Sequence, residues 1–294
     1  MPKPRELRRR IRSVQNTRKI TRTMELVATS KLKRWQDRVV ATRPYAAALG
    51  EVIADLYAPE LAERFPLLRG PAGPPRRVGL VLLTANRGLC GAFNANLIRA
   101  ARQRLEALEA EGAAVELHVL GKKGVSYFRF AKRALASQRT DIGDRPRPEH
   151  AAEIAAPLME QFARGALDAV EIVFAEFRSP ISTPAVALRI LPVRPPGGPG
   201  GPGTPRRPAN YLLRPSAEAI LERLVPLYVR NQVYRALVET AAAFYGAQRT
   251  AMKSATDNAG EMLDLLHRTY NRARQAQITQ ELAEIVGGAE ALKG

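Results

Sequence analysis

The chain holds one cysteine and three histidines among 294 residues, and aromatic residues make up only 6% of it. A lone Cys90 excludes an internal disulfide and fits a reducing compartment. His118, His150 and His267 are scattered and show no ligand spacing, so they give no reason to expect a metal. No apolar run approaches the ~20 residues that a membrane-spanning helix needs. The run at residues 78–83 is strand-sized. Acidic residues are also scarce: 28 Asp and Glu stand against 46 Lys and Arg, a formal net charge of +18. That excess calls for an anionic partner, whether nucleic acid, anionic lipid or an acidic protein face. It is concentrated at the start, where residues 1–43 carry fourteen Lys and Arg against Glu6, Glu25 and Asp37. The Arg-rich start does not read as a transit peptide, because a helical pattern runs through it unbroken.

What is present is a folded composition, 46% hydrophobic and 25% charged, with two unusual ends. Residues 5–57 and 216–286 each read as one very long helix. At 1.5 Å per residue they would reach roughly 80 and 100 Å, far beyond the ordinary three or four turns. Helices of that length must pair with each other or with partners. Leu7, Ile11 and Val14 open a coiled-coil seam on the first, and Leu32, Trp35, Val39, Ala46, Leu49, Ile53 and Leu56 continue it. Between them the apolar pattern shifts sideways to Ile20, Met24 and Val27, and Gln15-Asn16-Thr17-Arg18-Lys19 is polar, as if facing a different neighbour. Pro44 predicts a kink. On the last helix Ser216 is a plausible N-cap, and Pro226 predicts a break or the start of a second helix. Val233, Leu237, Phe244, Ala251, Ala255, Met262, Leu266, Ala273, Ile278, Leu282 and Ile285 form its seam, and Gly287-Gly288 is expected to end it.

The middle alternates strand-like runs (78–83, 115–120, 170–177, 185–193) with helical stretches, which argues for a mainly parallel, Rossmann-like sheet covered by helices. The expected organisation is an N-terminal coiled-coil helix (1–57), a linker (58–75), an α/β globular domain (76–213) with a Pro/Gly-rich loop at 195–208, and a C-terminal coiled-coil helix (214–294). Tyr211-Leu212-Leu213 looks like a last short strand.

Catalytic readings are thin. The turn at 86–91 lies between a strand and a helix, where anions bind. Its glycines form neither phosphate-loop pattern, and a tight turn explains them more simply. Cys90 at a helix start would have a lowered pKa, yet Asn96 stands where phosphatase chemistry would need Arg, and a packing role fits better. No paired-carboxylate constellation stands out. A basic coiled coil for nucleic acid is the alternative reading, but interleaved aromatics and a DNA-binding fold are lacking.

Several runs together carry a specific resemblance. Ser13-Val14-Gln15-Asn16-Thr17-Arg18-Lys19-Ile20-Thr21 with Met24-Glu25-Leu26-Val27-Ala28, then Thr84-Ala85-Asn86-Arg87-Gly88-Leu89-Cys90-Gly91, Gly121-Lys122-Lys123-Gly124 and Gln232-Val233-Tyr234 follow in order. Met252-Lys253-Ser254-Ala255-Thr256-Asp257-Asn258-Ala259-Gly260 and Tyr270-Asn271-Arg272-Ala273-Arg274-Gln275-Ala276-Gln277-Ile278-Thr279-Gln280-Glu281 complete it. The whole chain resembles the γ subunits of F-type ATP synthases.

The resemblance implies an antiparallel left-handed coiled coil turning inside a ring of three α and three β subunits. The α/β domain would sit with ε on the membrane-embedded c-ring, and proton-driven rotation would change the nucleotide affinity of each β subunit in turn. It implies a non-catalytic rotor with no cofactor and no metal, bound to the membrane only through the c-ring. By motif position Arg274 and Gln275 look like contacts to the β-subunit catch loop. Lys19 and Met24, opposite Thr279 and Glu281, look like the region coupling rotation to catalysis. Arg9 and Arg10 would face the acidic lever of β, and Tyr211 matches a tyrosine of the foot on ε and the c-ring. Leu213 stands where a second tyrosine is common. The cysteine-bearing insertion of chloroplast γ subunits is absent, so thiol switching is not expected. The implied setting is the cytoplasmic side of a bacterial plasma membrane.

Overall fold

The computed structural model describes residues 4–56, 64–71, 73–143, 145–194 and 216–291. Two compact units are present: Met1–Ala28 with Arg249–Gly294, and Thr29–Gln248. Helices α1 (Pro4–Leu56) and α5 (Ala217–Ala291) run through both. The Pro/Gly-rich loop 195–208, Tyr211 and residues 58–63 and 72 of the expected linker lie outside the described residues.

The larger unit is built on a sheet of β1 (Arg77–Leu83), β2 (Ala114–Leu120), β3 (Ser137–Arg139), β4 (Ala169–Ala175) and β5 (Ala185–Leu191) in the order β3-β2-β1-β4-β5. Strands β2 and β4 flank β1 in parallel, with Leu80 opposite Leu117 on one side and Glu171 on the other. Their near-continuous apolar sequences match burial on both faces: β4 is buried throughout and β1 from Val78 on. Helices α2 (Phe93–Ala110), α3 (Lys122–Phe130) and α4 (Pro148–Ala163) form the crossovers. Strand β5 is antiparallel to β4, because the connection between them is too short for a crossover. The three-residue β3 carries no apolar run and was not legible as a strand.

One charged residue sits in the middle of this sheet. Glu171 is buried on β4, directly across from Arg189 on β5. Arg104 of α2 approaches it with Nε at 2.6 Å and Nη2 at 2.8 Å, and Arg189 Nη2 donates at 2.9 Å. Burial pushes the carboxyl pKa up, but the hydrogen bonds and charges of Arg104 and Arg189 outweigh it and hold the value below the ordinary 4.5. In the same unit the α5 helix is tied to the sheet edge by a second buried carboxylate. Glu239 accepts from the Phe177 N–H at 3.1 Å and from Arg235 Nε at 2.8 Å, while Arg43 of α1 donates to the Phe177 carbonyl at 3.0 Å.

The long helices correct the sequence reading in four places. Pro226 lies inside α5 and does not divide it, and Gly287-Gly288 does not end it. Pro44, where the sequence predicts a kink, lies inside α1 without ending it. The α1 seam does not shift sideways. Burial steps alternately by four and three residues through Leu7, Ile11, Val14, Arg18, Thr21, Glu25, Ala28, Leu32, Trp35 and Val39, with Val14 and Thr21 half-buried and Arg18 exposed. Ile20 and Val27, the expected seam, face outward at 60% and 49% exposure. On α5 the seam runs through Met252, Thr256, Ala259, Leu263, Leu266, Tyr270 and Ala273, one residue off from Ala251, Ala255 and Met262. In both helices polar residues occupy seam positions while apolar neighbours stay outside, so hydrophobicity misplaced the stripe.

Because the Glu171 pKa is depressed in the folded state, its stabilisation is present above pH 4.5 and is lost as pH falls through the native value. Glu171→Gln is expected to cost about 3 kcal/mol at pH 7 by leaving two guanidinium groups without their carboxylate. Urea titrations should show that difference shrinking toward pH 3. Coincident curves at pH 7 would mean that the triad contributes nothing.

Candidate functional site

In the smaller unit the two helices pack antiparallel. Arg8 Nη2 donates to the Tyr270 hydroxyl at 2.8 Å and its guanidinium lies 5.7 Å from the ring centroid. Further along α1, and further back along α5, the Thr21 and Thr256 hydroxyls meet at 2.8 Å. Each also reaches its own helix, at the Arg18 and Met252 carbonyls. With two protons for three contacts, one hydroxyl donates across the pair and the other to its own backbone. Glu25 is buried on this seam and paired with Arg22 Nη1 at 2.9 Å. Arg18, Lys19 and Arg22 of α1 and Asp257, Asp264 and His267 of α5 line an open groove along the pair.

After Ala273 the seam stops. Every described side chain of α5 from Arg274 to Ala289 is exposed, including Ile278, Leu282, Ile285 and Val286 at 47 to 67%. Arg274, Gln275, Thr279 and Glu281 share roughly half of the helix circumference with those four apolar residues. Thr279 donates to the Gln275 carbonyl at 3.0 Å, and Gln277 Nε2 holds Glu281 at 2.8 Å. Arg9, Arg10 and Lys19 are exposed and Met24 is half-buried on α1. Lys19 and Met24 are not opposite Thr279 and Glu281. The Thr21–Thr256 pair puts them beside the 252–260 stretch, roughly 30 to 45 Å along the helix from Glu281.

The turn that invited a phosphate reading is in the larger unit, and the residues at its start take up the first amides of a neighbouring helix. Lys122 N–H donates to Asn86 Oδ1 at 2.8 Å, Lys123 N–H to the Ala85 carbonyl at 3.2 Å and Gly124 N–H to Thr84 Oγ1 at 3.0 Å. These are the first amides of α3, the ones that an anion would use. Asn94 closes the same turn, accepting from Ala85 N–H through Oδ1 at 3.0 Å and donating to the Arg87 carbonyl and Cys90 Sγ. Gly121 has φ +98°, and a Cβ there would collide with the Thr84 carbonyl. Cys90 is buried, and burial pushes its thiol pKa up despite Asn94 and Lys123. The two motifs 84–91 and 121–124 thus form one clasp at the carboxyl ends of β1 and β2. Helix α5 covers that end: Leu237, Thr240, Phe244 and Tyr245 close over Thr84 and Asn86 and leave a cavity of about 50 Å³. Phe244 makes edge contacts with Phe93 and Tyr245. No group of three His, Cys, Asp or Glu suited to a metal occurs among the described residues.

Sequence reasoning missed the Arg104–Glu171–Arg189 triad and the Glu239 anchor. The available signal for the first was a carboxylate inside the apolar run Val170-Glu171-Ile172.

Residues 3–292 match the family model described as "ATP synthase". The ATP synthase gamma chain of Gemmatimonas aurantiaca is 63% identical over 294 residues, covering all of both chains. That of Moorella thermoacetica is 43% identical over 98% of this chain and 99% of its own. Among solved structures, a chain of the Euglena gracilis mitochondrial ATP synthase (OSCP/F1/c-ring, rotational state 3) aligns with TM-score 0.68 at 19% identity, covering 98% and 94%. A chain of the Tetrahymena thermophila mitochondrial central stalk and c-ring aligns with TM-score 0.61 at 23% identity, covering 80% and 99%. Both structural matches support the fold, a mostly parallel α/β sheet with long terminal helices.

The raised pKa and burial of Cys90 make its native reactivity low. Labelling with a disulfide-exchange reagent at pH 8 is expected to be at least about tenfold slower in the native chain than in urea, since thiolate is the reacting form. Equal rates would show an open thiol and a loosened clasp.

Proposed function

The chain belongs to the ATP synthase γ-chain family, and from that premise we propose that it is the central-stalk rotor coupling proton-driven c-ring rotation to catalysis in the β subunits. The observation that carries this reading is the unpartnered stretch of α5 beyond Ala273, a single helix whose polar and apolar side chains are all exposed. Exposed apolar faces of that kind mark contact surfaces. On this reading the α3β3 ring encloses it.

Arg274 and Gln275 are then the β catch-loop contacts. Thr279 and Glu281 lie in the same coupling stretch, while Lys19 and Met24 act on a separate level beside 252–260. Arg9 and Arg10 face the acidic lever of β, a fit favoured by the basic N-terminal segment. Tyr211, outside the described residues, belongs to the foot on ε and the c-ring. The chain itself is non-catalytic, a reading supported by the internally satisfied amides of the clasp and the buried Cys90. No described helix is long and apolar enough to cross a membrane, and the setting that fits is peripheral, through the c-ring, on the cytoplasmic side of a bacterial plasma membrane. The rival reading as a nucleic-acid-binding coiled coil draws no support from the family relationship.

A rotor has to deliver work through differential contact. A partner shifts a two-state site only by the difference in its contact energy with the two states. Moving a site from mostly closed to mostly open takes about 5.5 kcal/mol.

Mixing the chain with α and β subunits is expected to give a stable assembly with restored ATPase activity. Arg274→Ala with Gln275→Ala should lower that activity roughly tenfold, the effect of losing about 1.4 kcal/mol. Charge reversal of Arg18, Lys19 and Arg22 should reduce ATP-driven proton transport more than hydrolysis. Steeply salt-dependent DNA binding without association with α and β would replace the rotor reading by its rival.

A further inference from the structure

A second cavity, of about 280 Å³, opens between α4 and the β2–β3 edge of the sheet. It belongs to neither the clasp nor the helix pair. Two of the polar side chains lining it have atoms without a partner. His118, more than nine-tenths buried on β2, has Nδ1 at 2.8 Å from Ser137 Oγ, while its Nε2 has no hydrogen bond. Gln161 Oε1, near the end of α4, is likewise buried without a donor. Unpaired buried polar atoms are costly, about 1–3 kcal/mol each, so a cavity lined by two side chains that carry them asks for a ligand.

The chemistry of the lining is one-sided. Gln161 Oε1 only accepts. In the tautomer whose Nδ1–H donates to Ser137, His118 Nε2 also accepts. Pro157, inside α4 and on the cavity wall, takes away the N–H that would reach the Glu153 carbonyl in a regular helix. Glu116 and Glu153 add carboxylates at the rim, and the one lining cation, Arg139, is already engaged by Asp141 and Glu153. Acceptors therefore outnumber donors and negative charge outnumbers positive. We propose that this cleft is a binding site for a small primary alkylamine in its ammonium form, whose N–H groups pair with Gln161 Oε1 and His118 Nε2. Burial lowers the His118 pKa more than Glu116 raises it, so the imidazole stays neutral at pH 7, and in that tautomer Nε2 can accept.

The full chain labelled in its three histidine rings gives a direct readout by NMR. Ethylammonium chloride is expected to shift the His118 ring resonances saturably and to leave those of His150 and His267 in place. Tetramethylammonium chloride at equal ionic strength, with the same charge and no N–H, should leave all three unchanged. Gln161→Leu should weaken the ethylammonium response at least about tenfold, whereas Gln161→Glu, which keeps the acceptor and adds charge, should strengthen it. Either no saturable shift at His118 in the parent chain and in Gln161→Glu, or an equal response to tetramethylammonium, overturns the proposal.

Discussion

Two helices that pack only on each other can bury one stripe apiece, and everything outside that stripe is left to other molecules. This constraint governs the smaller unit, which has no third layer. Its α1 stripe steps by alternate fours and threes from Leu7 to Ala28, and its α5 stripe does the same from Met252 to Ala273. Ile20, Leu26 and Val27 on one helix, and Ile278, Leu282, Ile285 and Val286 on the other, are exposed as a consequence. They are not defects of packing. A surface with that many outward apolar side chains is built to be covered.

The stripe itself gives up stability where it turns polar. Arg18, Thr21 and Glu25 take positions on α1 that Leu or Ile would fill in a stronger coiled coil, and Thr256 does so on α5. Polar seam residues weaken association but fix register. The hydroxyl pair Thr21–Thr256 and the Arg8–Tyr270 bond each lock one helix against the other at a single position. For a shaft carrying torque, slippage is a worse failure than modest stability, and the seam is composed accordingly.

Much of the larger unit was legible in the sequence because its strands are buried on both faces. The runs that became β1, β2 and β4 could hardly be anything else, whereas the antiparallel direction of β5 came from the structure. Ser137-Gln138-Arg139 pairs with β2 by backbone alone, so nothing in its side chains announced a strand. The seam was misread for a related reason. Hydrophobicity stood in for burial, and at Ile20 and Val27 the two part company because those side chains lie outside the stripe that the helix pair buries. The candidate residues at 274–281 were singled out through motif resemblance. No pattern of composition would have separated Arg274 from the other exposed arginines.

The larger unit shows how a fold that ordinarily holds ligands can be turned to mechanical use. Open α/β sheets bind small molecules outside the carboxyl ends of their strands, with helix amides and glycine turns supplying the contacts. Here the same parts are present, but Thr84, Ala85 and Asn86 consume the amides at the start of α3. The crevice itself is filled by α5, whose Thr240, Phe244 and Tyr245 leave only about 50 Å³ of space. Glu239 of the same helix reaches across to the Phe177 amide, so α5 is held by both packing and a buried charge-assisted bond. A helix seated in a ligand crevice cannot exchange or dissociate as a ligand would. The geometry that binds nucleotides in other sheets has become, in this one, the socket that anchors a long helix to its base.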